Sequence, residues 1–146
     1  VIGRAGSRGL PGKNALLVGG RPMIARSVDC ALGARTVGRV LCSTDGERIA
    51  RAAEEAGAEV LMRPAELADD HATIDSAVRH AIDLSGDEAK WVVILYGNIP
   101  VRPEGLVDRA VDSRRHGGSK VHWLRGERRS CRFASSQANY FRSQES

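Results

Sequence analysis

Trp91, Val92, Val93, Ile94 and Leu95 form an unbroken apolar run with no alternation between faces. Such a strand is stable only where both faces are covered, as in the middle of a parallel sheet. The flanking segments repeat the theme. Val1-Ile2, Arg39 to Ser43 and Glu59 to Met62 read as strands, and amphipathic stretches follow them after short connections. Pro22 sits at the first turn of a helix whose Ile24, Val28, Ala31 and Leu32 share one face. Thr44-Asp45-Gly46-Glu47 has the form of a capping box ahead of Ile49, Ala52, Ala53 and Ala56, a helix that stops at Gly57. Arg63-Pro64 ends the third strand, Thr73 to Leu84 reads as a helix, and Pro103 opens another with Leu106, Val107, Ala110 and Val111 inward. Strands alternating with helices predict an α/β fold with a mostly parallel sheet. Right-handed crossovers then bring every strand's carboxyl end to one edge, where open α/β sheets bind ligands.

That edge receives Gly3-Arg4-Ala5-Gly6-Ser7-Arg8-Gly9-Leu10-Pro11-Gly12-Lys13-Asn14, a loop of small residues and fixed cations. Glycines let backbone N–H groups close around an anion while arginine and lysine add charge, so the loop is suited to phosphates. It is not a Walker loop, because Asn14 follows the lysine and Ser7 stands where the first glycine belongs. The glycines at 3, 6, 9 and 12 also miss the dinucleotide spacing. Read without further context, the segment is equally a basic surface turn.

The 146 residues suffice for one domain with a substantial core. Their net charge of +4 is unevenly placed: residues 1–112 carry 14 basic against 16 acidic side chains, and residues 113–146 carry 8 against 2. The high isoelectric point therefore belongs to the end of the chain and gives the body no reason to bind nucleic acid. No apolar run approaches the roughly 20 residues of a membrane span, and no signal-peptide pattern is visible. The chain opens at Val1 inside an expected strand, which predicts a few residues ahead of it. Cys30, Cys42 and Cys131 lack metal-type spacing and fit reduced thiols in a cytoplasmic protein, with Cys42 packed in the core. Beyond Asp112 periodicity is lost, and residues 113–146 are expected to be a divergent, poorly ordered basic tail to a domain at 1–112.

The order Arg4-Ala5-Gly6-Ser7-Arg8-Gly9-Leu10-Pro11-Gly12-Lys13-Asn14 after an apolar strand resembles the signature of the acylneuraminate cytidylyltransferases, the CMP-sialic acid synthetase family. Gly20-Arg21-Pro22-Met23-Ile24, Ser43-Thr44-Asp45 and Arg63 to Asp70 continue that pattern in order, so the likeness runs from Val1 to about Asp112. Tyr96-Gly97-Asn98-Ile99-Pro100-Val101-Arg102 stands where sialic acid enzymes show Q-P-T-S-P-L-R and the related KDO enzymes show Q-G-D-E-P. A sorting Gln is thus replaced by Tyr96 and a metal-binding Asp by Asn98. The acceptor sugar is not named by this run.

The resemblance implies a three-layer, Rossmann-like nucleotide-diphospho-sugar transferase fold, truncated at the C-terminal end. It implies transfer of CMP from CTP to a sialic or related nonulosonic acid, with release of pyrophosphate, for surface polysaccharide synthesis. Mg²⁺ is the implied cofactor, with ligands not identified, and the family allows a homodimer. Arg4 and Lys13 would clamp the triphosphate as the catalytic cations. Ala5, Gly6, Ser7, Arg8 and Asn14 would line the phosphate path, and Arg63, Asp70, Ala72 and Thr73 would approach the base. Tyr96, Asn98 and Arg102 would meet the sugar acid. Asp45 reads better as a helix-cap or first-turn acid than as a metal ligand, and Asp69-Asp70-His71 as a solvated or capping loop. Because Tyr96, Asn98 and the tail depart from the pattern, a nucleotide-binding module without turnover is the alternative reading.

Overall fold

A computed structural model describes residues 1–6, 9–68, 72–86, 91–115 and 132–135. In chain order the regular elements are β1 (Leu17–Val18), β2 (Arg21–Pro22), α1 (Met23–Leu32), β3 (Leu41–Thr44), α2 (Glu47–Glu55), β4 (Glu59–Met62), α3 (Ile74–Ser85), β5 (Trp91–Ile94), α4 (Leu106–Arg115) and β6 (Arg132–Ser135). Single 3₁₀ turns occupy Lys13–Ala15 and Ala65–Leu67.

The expected parallel sheet is present. β3 pairs parallel with β4, Leu41 opposite Glu59 through Thr44 opposite Met62. Ile2 forms parallel bridges to Ser43 on one side and to Tyr96, in the continuation of β5, on the other. β6 pairs parallel with β5. The spatial order is therefore β4, β3, the Val1–Gly3 segment, β5, β6. The first segment lies centrally because it has a parallel neighbour on each side, and its Gly3 N–H donates to the Ser43 carbonyl at 3.1 Å while Gly97 N–H donates to Ile2 O at 2.8 Å. β1 and β2 form a separate antiparallel hairpin leading into α1.

Side-chain alternation assigns the layers. Cys42 packs with Ile24, Val28, Ile49 and Ala53, so α1 and α2 share one face of the sheet. Leu41 and Ser43 turn the other way, toward Val78, Ala81 and Ile82 of α3. On α1, Ile24, Val28 and Ala31 recur at helical spacing and are all buried. Burying Ile24 and Val28 is worth about 1.5–3 kcal/mol each. On α2 the inward residues after Ile49 are alanines, which lets the helix lie close against β3 and β4. Cys42 is fully buried, as expected, and burial pushes its thiol pKa up.

Leu32, expected on the buried face of α1, is 50% exposed at the helix's last residue, and three further local expectations change. The capping box at Thr44 does not form: α2 starts after Gly46, no side chain caps it, and Thr44 Oγ1 accepts instead from the Gly46 N–H at 3.2 Å. Pro103 precedes α4 by a turn, with Leu106 N–H donating to Pro103 O at 3.2 Å. The region read as a tail without strand periodicity contributes β6. α4 also runs on to Arg115, past the expected boundary at 112, and the expected disorder of the other tail residues falls outside the described set. Among the described residues, no helix is long and apolar enough to cross a membrane.

Candidate functional site

The carboxyl ends of the strands deliver Arg4, Arg63 and Tyr96 to one edge, as parallel topology requires. Between them lies a cleft of about 390 Å³ lined by Gly3, Arg4, Gly6, Lys13, Asn14, Arg63, Ala72, Thr73, Tyr96 and Asn98, with Ile2, Leu67, Ala68 and Ile74 as its apolar part. A larger cavity of about 540 Å³ opens among Val40, Val78, Ile82, Trp91, Val93 and Val111. That one is mostly apolar, and among the described residues that line it the one cationic side chain is Arg39, already paired with Glu59 at 2.6 Å. Phosphate binding needs converging cations and N–H groups, so the smaller cleft is the candidate site.

The glycine loop is shaped by its own backbone. Gly12 adopts φ +66°, a left-handed conformation that side chains disfavour, and turns the chain into the 3₁₀ segment bearing Lys13. Its N–H reaches back to the Ala5 carbonyl at 3.2 Å, closing the loop. Asp45, just past β3, accepts the Ala5 N–H at 2.8 Å and fixes the loop's root to the sheet edge. This is a loop-holding role that neither the cap nor the metal reading contained.

Arg63 follows β4, its own N–H donating to Thr44 O at 2.7 Å. Its side chain is only 7% exposed and places Nη2 at 3.8 Å from Asp45 Oδ1. The same nitrogen donates to the Gly3 carbonyl at 3.4 Å. Burial pulls the Arg63 pKa below the ordinary arginine value, and the Asp45 carboxylate pushes it back toward that value. Its Nε is buried without an acceptor among the described residues. A buried N–H left in that state is costly unless a ligand or water accepts from it.

Asn14 supplies the complementary group. Its residue is 4% exposed, its Nδ2 donates to Arg4 O at 2.9 Å, and its Oδ1 is buried with no donor among the described residues. Arg63 Nε and Asn14 Oδ1 are thus one buried donor and one buried acceptor without partners among the described residues.

Thr73 caps α3, its Oγ1 accepting from Ser76 N–H at 3.1 Å. It also borders the cleft, so the positive end of a helix of 12 residues faces the same space. Opposite, burial raises the Tyr96 phenol pKa, helped by the Asp75 carboxylate, so the ring keeps its proton and remains a hydrogen-bond donor at neutral pH.

Of the expected contacts, Arg4, Gly6, Lys13, Asn14, Arg63, Ala72, Thr73, Tyr96 and Asn98 converge. Ala5 takes part through its backbone, turned to Asp45. Arg102, expected to meet the sugar acid, does not line the cleft: Nη1 donates to Ile99 O at 2.8 Å and Nη2 to Tyr96 O at 2.6 Å, beneath its own loop. Ser7, Arg8 and Asp70 lie outside the described residues. Sequence reasoning missed Leu67 and Ala68, which line the cleft beside Arg63; their spacing behind Arg63-Pro64 was the available signal. Magnesium does not find its usual ligands here: the described lining offers amide oxygens from Asn14 and Asn98 and no carboxylate, and no group of three or more His, Cys, Asp or Glu gathers among the described residues.

Comparison with known proteins gives a consistent result. The family described as Cytidylyltransferase matches residues 1–145, further than the motif likeness alone. The N-acylneuraminate cytidylyltransferase of Escherichia coli is 35% identical over 94 residues, 64% of this chain and 22% of that protein. The CMP-N,N'-diacetyllegionaminic acid synthase of Legionella pneumophila is 34% identical over 128 residues, 83% of this chain and 54% of that one. A solved CMP:2-keto-3-deoxy-manno-octonic acid synthetase complexed with CTP superposes with a TM-score of 0.66 at 26% identity, covering 80% of this chain and 46% of that chain. The chain spans about half the length of these relatives, or less.

Proposed function

This chain belongs to the cytidylyltransferase family, and on that premise we propose that its cleft binds CTP and transfers CMP to a nonulosonic sugar acid. An oxygen of the acid attacks the α-phosphorus, the bond to the β-phosphate oxygen breaks, pyrophosphate leaves and the hydroxyl proton passes to solvent. Negative charge is present throughout, so the protein's contribution is alignment and neutralisation. Arg4 presents a planar fork and Lys13 a point charge to the phosphates. Arg63 and Asn14 border the space left for the rest of the nucleotide. Tyr96 and Asn98 border the side left for the acid.

The observation that carries this reading is the convergence of Arg4, Lys13 and Arg63 on one cleft. The test is a pyrophosphate-release screen of the four nucleoside triphosphates against sialic, legionaminic, pseudaminic and 3-deoxy-manno-octulosonic acids. CTP-dependent release with one of them is the expected result. Release with UTP or GTP and none with CTP would overturn the base assignment.

A second reading is supported by Tyr96 and Asn98, which stand where the likeness called for a Gln and a metal-binding Asp. On that reading the chain binds the nucleotide without turnover, and CTP titrates the cleft while no acid elicits pyrophosphate.

A further inference from the structure

We infer that Arg102 is a positioning residue that sets the acid-facing side of the cleft from beneath, by clamping the Tyr96–Arg102 loop onto Ser27 of α1. This rests on reading the Tyr96–Asn98 border as the place of the acceptor acid. Arg102 Nη1 donates to Ser27 Oγ at 3.0 Å and to Ile99 O at 2.8 Å, and Nη2 donates to Tyr96 O at 2.6 Å. Ser27 Oγ itself donates to Tyr96 O at 3.2 Å. The Tyr96 carbonyl therefore receives two donors, one from the loop's own last residue and one from the core helix.

The anchor is rigid. Ser27 is 0% exposed and sits on α1 between Ile24 and Val28, which are also 0% exposed. On its other side the loop is tied to the sheet by Gly97 N–H on Ile2 O at 2.8 Å. With both sides fixed, the Tyr96 ring and the Asn98 amide are held where they border the cleft. A planar guanidinium reaches two carbonyls and a hydroxyl from one fixed fork, and a lysine ammonium on a flexible stem fixes less. A reacting group displaced by a fraction of an ångström loses much of the benefit of alignment. Arg102 thus acts on the acid without touching it.

The experiment compares Arg102→Met, Arg102→Lys and Ser27→Ala in the full chain by two readouts. Without ligand, amide hydrogen exchange of residues 96–102 speeds up in Arg102→Met while residues 3–6 and α1 exchange as before. In turnover, KM for the acid rises about tenfold or more in Arg102→Met, whereas KM for CTP stays within about twofold. Arg102→Lys recovers part of both effects and Ser27→Ala shows a smaller version of each; these two carry the test if Arg102→Met does not fold. Unchanged exchange in the loop, or an equal loss for CTP and the acid, overturns the inference. If the unsubstituted chain releases no pyrophosphate with any acid, the functional reading fails and the exchange comparison alone still decides the clamp.

Discussion

The Asp45 carboxylate accepts the backbone N–H of Ala5 at 2.8 Å, joining the end of β3 to the root of the glycine loop across 40 residues of sequence. The same oxygen lies 3.8 Å from Arg63 Nη2, so one anion orders both the loop and a cation of the cleft. A hydrogen bond to a charged group contributes about 1.5–3 kcal/mol. Asp45→Ala is therefore expected to weaken CTP binding by about tenfold or more, and Asp45→Asn, which keeps an acceptor oxygen, to weaken it less. Calorimetric titration of CTP into the three proteins distinguishes them; equal affinities would mean the loop holds its shape without Asp45.

Lys13 sits on the 3₁₀ turn behind Gly12, half-exposed and outside the hydrophobic core. Lys13→Ala is expected to abolish measurable triphosphate binding and to remove about 2–4 kcal/mol of transition-state stabilisation, the scale of losing one strong donor. Its melting temperature should match that of the unsubstituted chain. Unchanged CTP affinity would take the phosphates out of this loop.

The parallel sheet and the cationic loop were legible because both depend on local signals: the unbroken apolar run at Trp91 to Leu95 and the dense glycines beside Arg4 and Lys13. Arg63 was reachable too, since parallel topology places strand ends on one edge, and Thr73 through the family resemblance. Asp45 was not. It stands inside the Thr44 to Glu47 run that satisfied a capping rule, and the competing demand for an acceptor came from Ala5, far away in sequence. Arg102 was misdirected for the same kind of reason: an arginine in a substrate loop looks like a ligand contact until the carbonyls beneath it are known. β6 escaped because its edge pairing rests on backbone hydrogen bonds that the polar composition around it does not advertise.

Asp108 ties α4 to the segment after α1 by accepting from Arg35 N–H at 3.2 Å, Thr36 N–H at 2.9 Å and Thr36 Oγ1 at 2.7 Å. The Thr36 hydroxyl bond holds its pKa below the ordinary 3.8. A carboxyl with a depressed folded pKa contributes stability above its unfolded pKa and loses it as pH falls through the folded value. Urea unfolding from neutral pH down through the acid range should therefore show the difference between the unsubstituted chain and Asp108→Asn shrinking below the ordinary carboxyl pKa. A difference that stays constant over that range would mean the bonds to Thr36 do not depend on charge.

Gly97 lies where β5's continuation, Ile2 and Asn14 converge, and a methyl group there would run into Ile24 Cδ1 while approaching Ile2 O at 3.2 Å and Asn14 Oδ1 at 3.4 Å. Ile24 is fully buried, so its side chain has little room to withdraw. Gly97→Ala is expected to destabilise the chain by about 1–3 kcal/mol, the range for overpacking a filled core. Ile24→Val removes the clashing Cδ1 and alone costs about 0.5–1.5 kcal/mol. Because the two sites touch, their effects should not add: the double variant should be more stable than the sum of the single losses predicts. Chemical denaturation of the four proteins measures that coupling. Strict additivity would show that the strain of Gly97→Ala falls on the Ile2 carbonyl instead, which shortening Ile24 cannot relieve.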